Sequence, residues 1–480
     1  MDILEAAFHP KAIAIAGASE NHFSFGYHYV RHLLDYGYPG HIYPVNPNKQ
    51  VVLGLKAHPD LSSIPEPVDY VICCLPASKV LDLLAECPAR GVKVIHFLTA
   101  RFGETGRQEA RDLEARILQE AKKFNIRLIG PNCMGIYYPR GGIVNGYDMP
   151  KEAGTVGAVF QSGGLSDVLV RYGELQGLRF SKVISYGNAL DLDESDFLNY
   201  LAHDDETKII AAYFEGAKDG RKLLNALADA GRAKPVIAIK GGRGIAGTKA
   251  AASHTAAIAG SDSMWKTAFK KTGVIQAQDI SELIDFLVAF SFLPPIRGKR
   301  VAITGGGGGM SVTAADLCEE AGLIVPPLPP EIRDELRIKA PEVWDWLGNP
   351  IDGSIMGGIS MGFEAGLEEI PRMIARSPKF DFIIAEIAEE GPFPEEIWSG
   401  VVSRQAEVML SLSREQLKPL VAVVSDGKFN SDQFQDWRWK LLAEVRARLV
   451  AAHIPTYSTV AEAAKAMRQF TDYWQMRAET

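Results

Sequence analysis

Short apolar runs alternate with longer amphipathic stretches along the chain. Continuous apolar runs are typical of strands buried on both faces of a parallel sheet, and the stretches between them have the helical period of about 3.6 residues. In a first block, about residues 1–145, this pattern predicts strands at 12–19, 41–47, 70–76, 93–99 and 127–133. Strands that alternate with helices in this way predict a parallel, doubly wound sheet.

The same alternation recurs in two further blocks. The second block, about residues 146–294, contains strand candidates at 157–162, 182–187, 209–216 and 235–242. The third block, about residues 300–455, follows a proline-containing linker and contains strand candidates at 301–309, 382–388, 420–426 and 454–459. A helical pattern follows in the C-terminal segment 456–480. The predicted fold class is therefore α/β, with three doubly wound domains and a C-terminal helix.

Composition and charge are those of an ordinary globular protein. Hydrophobic residues make up 47% of the 480 residues, and charged residues make up 23%. The net charge of −8 disfavours nucleic-acid partners, and no apolar run reaches the roughly 18–20 residues of a membrane span. The N-terminus lacks a signal-peptide pattern and the five cysteines are scattered, so we expect a reducing, cytoplasmic location. No CxxC or HExxH motif is present, so we expect no metal site.

The first predicted strand leads into a glycine turn, Gly17-Ala18-Ser19. A glycine turn between a strand and a helix often binds phosphate at the helix N-terminus. This turn departs from GxGxxG, and the end of the second strand, residues 43–48 (YPVNPN), has no carboxylate for a ribose hydroxyl. An NAD(P)-dependent oxidoreductase is therefore disfavoured. Two interpretations of Gly17 remain, because it either borders a phosphate or only permits tight packing of strand against helix.

Other loops follow the predicted strands, at the sheet edge where open α/β sheets bind their ligands. The ligand-binding candidates at these strand ends are Leu75, Pro76, Leu98, Thr99 and Asn132. Cys133 comes directly after Asn132, and we expect it to be a small buried residue and not a nucleophile. The sequence therefore predicts one binding edge, formed by loops of the first block.

One histidine, His254, lies among small residues in the stretch SHTAAIAGS, residues 253–261. Small neighbours let a bulky ligand approach, and a neutral imidazole nitrogen is a competent nucleophile toward a phosphoryl group. Two strand–glycine–helix turns could hold that phosphoryl group on free backbone N–H groups. The first contains Ser162, Gly163 and Gly164, and the second contains Gly306, Gly307 and Gly308.

Glu215 lies in the stretch YFEG, at the end of a predicted strand. Its carboxylate could hydrogen-bond one ring nitrogen of His254 and leave the other nitrogen free to attack. Each of these assignments has a plainer alternative. These alternatives are a structural histidine, a solvated glutamate and two ordinary strand–helix turns.

Several of these stretches together resemble the NDP-forming acyl-CoA synthetase superfamily, which includes succinyl-CoA synthetase. They are GAS at 17–19, YPVNPN at 43–48, GPNCMGI at 130–136, FQSGG at 160–164, YFEG at 213–216 and SHTAAIAGS at 253–261. The last three stretches resemble the α subunit of ADP-forming acetyl-CoA synthetase in particular.

The resemblance implies a Rossmann-like CoA-binding domain over residues 1–145 and a flavodoxin-like domain with a phosphohistidine loop over 146–294. It implies a second flavodoxin-like, ligase-type domain over 300–455. The resemblance assigns coenzyme A to the Gly17-Ala18-Ser19 turn, to Val45, Asn46 and Pro47, and to the five strand-end candidates. It assigns phosphate to the two glycine turns and catalysis to His254 and Glu215. The implied reaction is reversible: acyl-CoA, ADP and phosphate give the acid, ATP and CoA. It passes through an acyl phosphate and a phosphohistidine.

No ATP-grasp pattern is evident in the sequence. The resemblance therefore implies that ADP or ATP binds, with magnesium, on a separate ATP-grasp β subunit. It further implies an α-subunit homodimer within an α₂β₂ assembly, and acetate as the default acid, with branched, aryl and dicarboxylic acids left open. One alternative function also stays open, namely a CoA- or acyl-CoA-binding regulatory module without turnover of its own.

Overall fold

The computed structural model describes residues 3–249, 261–353, 363–387, 394–425 and 436–479. His254 lies outside the described residues. The chain divides into two compact units, Met1–Leu283 and Ile284–Thr480. Within the described residues, the first unit contains two large sheets and a two-stranded hairpin, and the second unit contains one parallel sheet. The predicted α/β fold class is confirmed.

The first sheet is parallel and has the strand order β2-β1-β5-β6-β7. Its strands are β1 (Ala12–Ala16), β2 (His41–Val45), β5 (Tyr70–Cys73), β6 (Val94–Phe97) and β7 (Arg127–Ile129). The hairpin between β2 and β5 consists of β3 (Val51–Val52) and β4 (Leu55–Lys56). The helices of this part are Glu5–Phe8, Phe25–Tyr36, Val80–Glu86 and Gln108–Lys123. Every residue of β1, β5 and β6 is buried, as continuous apolar runs predict for strands that are covered on both faces.

The second sheet has the order β13-β12-β11-β9-β10-β8, and β8 runs antiparallel to β10. Its strands are β8 (Gly135–Tyr137), β9 (Ala153–Phe160), β10 (Phe180–Ser185), β11 (Ile209–Phe214), β12 (Val236–Lys240) and β13 (Ile275–Ala277). Its helices are Gly163–Leu175, Glu194–His203, Gly220–Ala233 and Asp262–Thr272. Each helix begins after a side chain that accepts hydrogen bonds from first-turn amides, which fixes its start. These capping residues are Ser162, Asp193, Asp219 and Ser261.

Strand β8 lies within the first predicted block, yet it belongs to the second sheet. Its three residues pair with Val183–Ser185 of β10. One hydrophobic core cluster also includes side chains of both sheets, such as Ile13 and Ile72 of the first and Val159 of the second. The sequence did not predict β8, because three residues are too few for a readable periodicity.

The third sheet, in the second unit, is parallel and has the order β14-β15-β16-β17. Its strands are β14 (Val301–Thr304), β15 (Phe382–Ile387), β16 (Leu420–Val424) and β17 (Thr456–Tyr457). The helices are Ile280–Phe292, which begins in the first unit, then Gly308–Glu320, Pro330–Lys339, Phe363–Arg376, Glu395–Glu415, Trp437–Ala451 and Val460–Glu479. Isolated parallel bridges place Ile324 beside Arg300 and Ile351 beside Thr304. These bridges extend the sheet beyond β14, which gives the strand order of a doubly wound fold.

Each predicted strand forms, but many end before the predicted limit. β1 ends at Ala16, because Gly17 has a φ of +88° and turns the chain out of extended geometry. β5 ends at Cys73, shortly before Pro76, which has no N–H to donate to the ladder. The apolar residues beyond these strand ends therefore lie in loops at the sheet edge.

Among the described helices, none combines the length and apolar character that crossing a membrane requires. The five cysteines are free thiols. Burial raises the pKa of Cys133 to about 12, so its thiol stays protonated near neutral pH. The expectation that Cys133 is a small buried residue is confirmed, because its exposed fraction is 4%.

Candidate active site

A cleft of about 670 Å³ opens at the carboxyl-terminal edge of the first sheet. β1 is flanked by β2 on one side and by β5 on the other, and open α/β sheets bind ligands at such a switch point. The loops after β5, β6, β7 and β9 contribute to the lining of the cleft. The lining contains these residues predicted from the sequence: Leu75, Pro76, Leu98, Thr99, Asn132, Ser162, Gly163 and Gly164. The cleft therefore joins the predicted binding edge of the first sheet to the first glycine turn.

Hydrogen bonds connect the three loops of the first sheet that line the cleft. Thr99 Oγ1 donates to the carbonyl oxygen of Leu75 at 2.5 Å, and the amide of Asn132 donates to the carbonyl oxygen of Thr99 at 3.0 Å. Asn132 has a φ of +58°, in the left-handed region that asparagine tolerates better than most residues. The backbone of this wall is therefore preorganised before any ligand binds.

The predicted residues of the first two loops lie outside the described lining of the cleft. The amides of Gly17 and Ala18 both donate to the carbonyl oxygen of Val45, at 3.1 and 3.2 Å. Asn46 Nδ2 donates to the carbonyl oxygen of Ala18 at 2.7 Å. These two amides are already engaged in joining the loops after β1 and β2, so a ligand phosphate would bind at other groups of these loops. The assignment of Gly17, Ala18, Ser19, Val45, Asn46 and Pro47 to coenzyme A stays a prediction.

The first glycine turn is the N-terminus of the helix Gly163–Leu175. Ser162 is the N-cap, and its Oγ accepts a hydrogen bond from the amide of Leu165 at 3.3 Å. Gly164 is exposed, and a Cβ at this position would meet no atom within 4 Å. The start of this 13-residue helix therefore presents backbone N–H groups and the positive end of its dipole to the cleft. An anion such as phosphate is the ligand that this arrangement favours.

Glu215 follows β11 and is buried, with an exposed fraction of 7%. Its carboxylate accepts a hydrogen bond from Tyr213 OH at 3.3 Å. The amide of Glu215 donates to Gln161 Oε1 at 2.7 Å, and its carbonyl oxygen accepts from Lys240 Nζ at 3.0 Å. The backbone of Glu215 is therefore held by hydrogen bonds on both sides, and its carboxylate is hydrogen-bonded to Tyr213.

Gln161 is a positioning residue that the sequence analysis missed. Its side chain is buried and accepts hydrogen bonds from the amides of Glu215 and Gly216, while the residue itself lines the cleft. Gln161 thus connects the first glycine turn to the loop that carries the predicted catalytic glutamate. The only sequence signal was its place directly before Ser162, at the end of a buried strand.

The second glycine turn, in the second unit, has a different electrostatic environment. Gly307 is the N-cap of the helix Gly308–Glu320, and a Cβ at Gly307 would meet no atom within 4 Å. A Cβ at Gly306 would lie 2.6 Å from Glu386 Oε2, and one at Gly308 would lie 3.0 Å from Asp352 Oδ2. An anion at this turn would therefore share it with two carboxylates, and phosphate binding by Gly306–Gly308 stays a prediction. No set of three or more potential metal-ligating side chains is clustered within the described parts of the chain.

Two buried side chains hold the backbone of the loop after β7, which lines the cleft. His96 Nε2 donates to the carbonyl oxygen of Cys133 at 2.9 Å, and Tyr29 OH donates to the carbonyl oxygen of Met134 at 2.9 Å. Burial lowers the pKa of His96 to about 4, and burial likewise lowers the pKa of His32 to about 4. Both rings are therefore neutral in the folded protein at neutral pH.

These lowered pKa values predict that the first unit loses stability in acid. The pKa of His96 is about 4 in the folded state and 6.5 in the unfolded state, so below pH 6.5 the unfolded state binds more protons. The free energy of unfolding therefore falls as the pH falls. For His96 alone the loss between pH 8 and pH 5 is about 2 kcal/mol. His96→Gln retains an N–H donor and should remove this part of the pH dependence, measured by urea unfolding at both pH values. His22→Gln, at an exposed position, is the control. The prediction would be contradicted if the free energy of unfolding changed with pH equally in His96→Gln and the wild type.

Comparison with known protein families agrees with the architecture of the first unit. Residues 11–139 match the CoA-binding domain family, and residues 153–290 match the succinyl-CoA ligase-like flavodoxin domain family. Together the two matched ranges contain the residues that line the cleft and the loop of Glu215.

Individual relatives extend the similarity along the chain. The α subunit of ADP-forming acetate–CoA ligase I from Pyrococcus furiosus is 38% identical over 326 residues, which are 67% of this chain and 70% of the relative. The α subunit of ligase II from the same organism is 35% identical over 409 residues, which are 85% of this chain and 88% of the relative. A solved structure of the dinucleotide-forming acetyl-coenzyme A synthetase 1 from Ca. Korarchaeum cryptofilum, in complex with phosphate and ADP, has a TM-score of 0.84. It is 28% identical, and the alignment covers 100% of both chains. The chain belongs to the family of α subunits of ADP-forming acetate–CoA ligases.

Proposed function

We propose that this chain is the CoA-binding, phosphohistidine-bearing subunit of a cytoplasmic ADP-forming acid–CoA ligase. The reaction converts acyl-CoA, ADP and phosphate into the acid, ATP and CoA, and it is reversible. The observation that carries the proposal is one cleft lined both by predicted CoA residues of the loops after β5, β6 and β7 and by the helix start Ser162–Gly164. A thioester and a phosphate that bind to these two groups of residues would meet in the cleft.

The first step forms an acyl phosphate. Phosphate binds at the amides of Gly163 and Gly164, where the helix dipole stabilises its charge. One phosphate oxygen attacks the thioester carbonyl carbon, the carbon–sulfur bond breaks, and CoA leaves as a thiolate that takes up a proton.

The second step moves the phosphoryl group to His254. A neutral ring nitrogen of His254 attacks phosphorus, the bond between phosphorus and the carboxyl oxygen breaks, and the acid leaves as a carboxylate. Glu215 accepts a hydrogen bond from the other ring nitrogen and stabilises the positive charge that the ring acquires. The hydrogen bonds of Glu215 support this role, because Gln161 holds its backbone amide and Tyr213 donates to its carboxylate.

The third step requires a partner. ADP, with magnesium to neutralise its phosphates, binds on a separate ATP-grasp β subunit and receives the phosphoryl group from His254. Gly306, Gly307 and Gly308 are the second helix start that we propose as a phosphate-binding turn. The assembly is α₂β₂ with a homodimer of this chain, and the acid is acetate.

The test is intact-protein mass spectrometry of the chain at mildly alkaline pH, after incubation with acetyl-CoA and phosphate. We expect the gain of one phosphoryl group, which is lost in acid because a phosphoramidate hydrolyses there. Omission of either reactant is the control. No phosphoryl group from any acyl-CoA, and none from ATP in the presence of a β subunit, would overturn the proposal. That negative result would favour a CoA-binding module without turnover.

A further inference from the structure

Met134 lines the cleft where the loop after β7 meets the helix start Ser162–Gly164. It follows Cys133 in the loop after β7, and its side chain packs on the start of the helix Gly163–Leu175. A Cβ at Gly163 would lie only 2.7 Å from Met134 Cγ. The methionine side chain therefore lies directly beside the proposed phosphate site, and there is no space for a side chain at Gly163.

The backbone of Met134 is held in place on both sides. Its amide donates to Ser185 Oγ at 3.1 Å, at the buried end of β10. Its carbonyl oxygen accepts hydrogen bonds from Tyr29 OH at 2.9 Å and from Asn145 Nδ2 at 3.4 Å. Because the backbone is held in place, the Met134 side chain can make room for a bulkier neighbour only by changing its own rotamer.

The proposed chemistry places the acyl group at this point. The thioester carbonyl carbon has to come within bonding distance of a phosphate oxygen at Gly163 and Gly164. The acyl substituent is one bond away from that carbon, so it lies where the loop of Met134 meets the helix start. We propose that the Met134 side chain forms a wall of the acyl subsite and restricts the enzyme to short, unbranched acyl groups. This inference rests on the proposed function.

The experiment measures single-turnover rates of phosphoryl incorporation on the full-length chain, with acetyl-CoA, isobutyryl-CoA and phenylacetyl-CoA. Met134→Ala removes most of the wall, and we expect the specificity for isobutyryl-CoA relative to acetyl-CoA to rise by about tenfold or more. Met134→Phe should shift the same ratio in the opposite direction. Met476→Ala, far along the chain in the C-terminal helix, is the matched control and should leave the ratio unchanged.

The outcomes separate this inference from the proposed function. A wild-type chain that incorporates phosphoryl groups, with ratios within twofold of wild type in both Met134→Ala and Met134→Phe, would overturn the acyl-wall role alone. A wild-type chain that incorporates none from any of the three acyl-CoAs, or from ATP with a β subunit, would overturn the proposed function and this inference with it. Because the readout is a ratio of substrates, a uniform loss of activity from poor folding would not imitate the expected result.

Discussion

Replacement of His254 by asparagine is expected to abolish phosphoryl incorporation while coenzyme A still binds. Asparagine preserves polarity and approximate size but lacks a nucleophilic ring nitrogen, so the phosphohistidine cannot form. Loss of a group that forms a covalent intermediate lowers the rate by about 10³-fold or more. The measurement is phosphoryl incorporation by mass spectrometry, with CoA affinity measured in parallel by calorimetry.

His203→Asn is the matched control for His254→Asn. His203 ends the helix Glu194–His203 and is exposed, and its ring hydrogen-bonds the carbonyl oxygen of Asn199 at 2.8 Å. This variant should incorporate phosphoryl groups at the wild-type rate. Undiminished incorporation in His254→Asn would mean that another residue carries the phosphoryl group, and loss of CoA binding in His254→Asn would mean that the substitution disturbs the fold.

The second large effect is expected from Gly26→Ala, which should destabilise the first unit and weaken CoA binding. A Cβ at Gly26 would lie 2.0 Å from the carbonyl oxygen of Gly17 and 3.0 Å from Ala18 Cα. These are backbone atoms of a turn whose amides are bound to Val45, so they cannot move without breaking hydrogen bonds. Overpacking of this kind costs about 1–3 kcal/mol or more. Urea unfolding and calorimetric titration with CoA measure the two effects.

Gly220→Ala provides the control for Gly26→Ala. Both glycines lie at the start of a helix of the first unit, but a Cβ at Gly220 would meet no atom within 4 Å. Alanine there should leave stability unchanged or raise it slightly, because alanine loses less backbone entropy in a helix than glycine does. Equal stabilities of Gly26→Ala and Gly220→Ala would contradict the close packing of helix and turn.

The sequence by itself determined most of the strands and several of the residues that line the cleft. Strands such as β1 and β5 were readable because burial on both faces requires continuous apolar runs, which are a local property of the chain. Positions at the ends of strands, such as Thr99 and Asn132, were readable as ligand candidates because parallel strands bring their carboxyl ends to one edge. His254 and its assigned role come from sequence and resemblance alone and stay a prediction.

The tertiary structure decided the relations between distant segments. Assignment of β8 to the second sheet depends on pairing with β10, and a three-residue strand has no periodicity that could reveal it. The hydrogen bonds of Gln161 to the loop of Glu215, and the packing of Met134 on Gly163, join residues that are 54 and 29 positions apart in the sequence. A local pattern reports which face of an element is buried, but not which side chain from another element lies against it. The contacts between the segments that line the cleft could therefore be identified only from the tertiary structure.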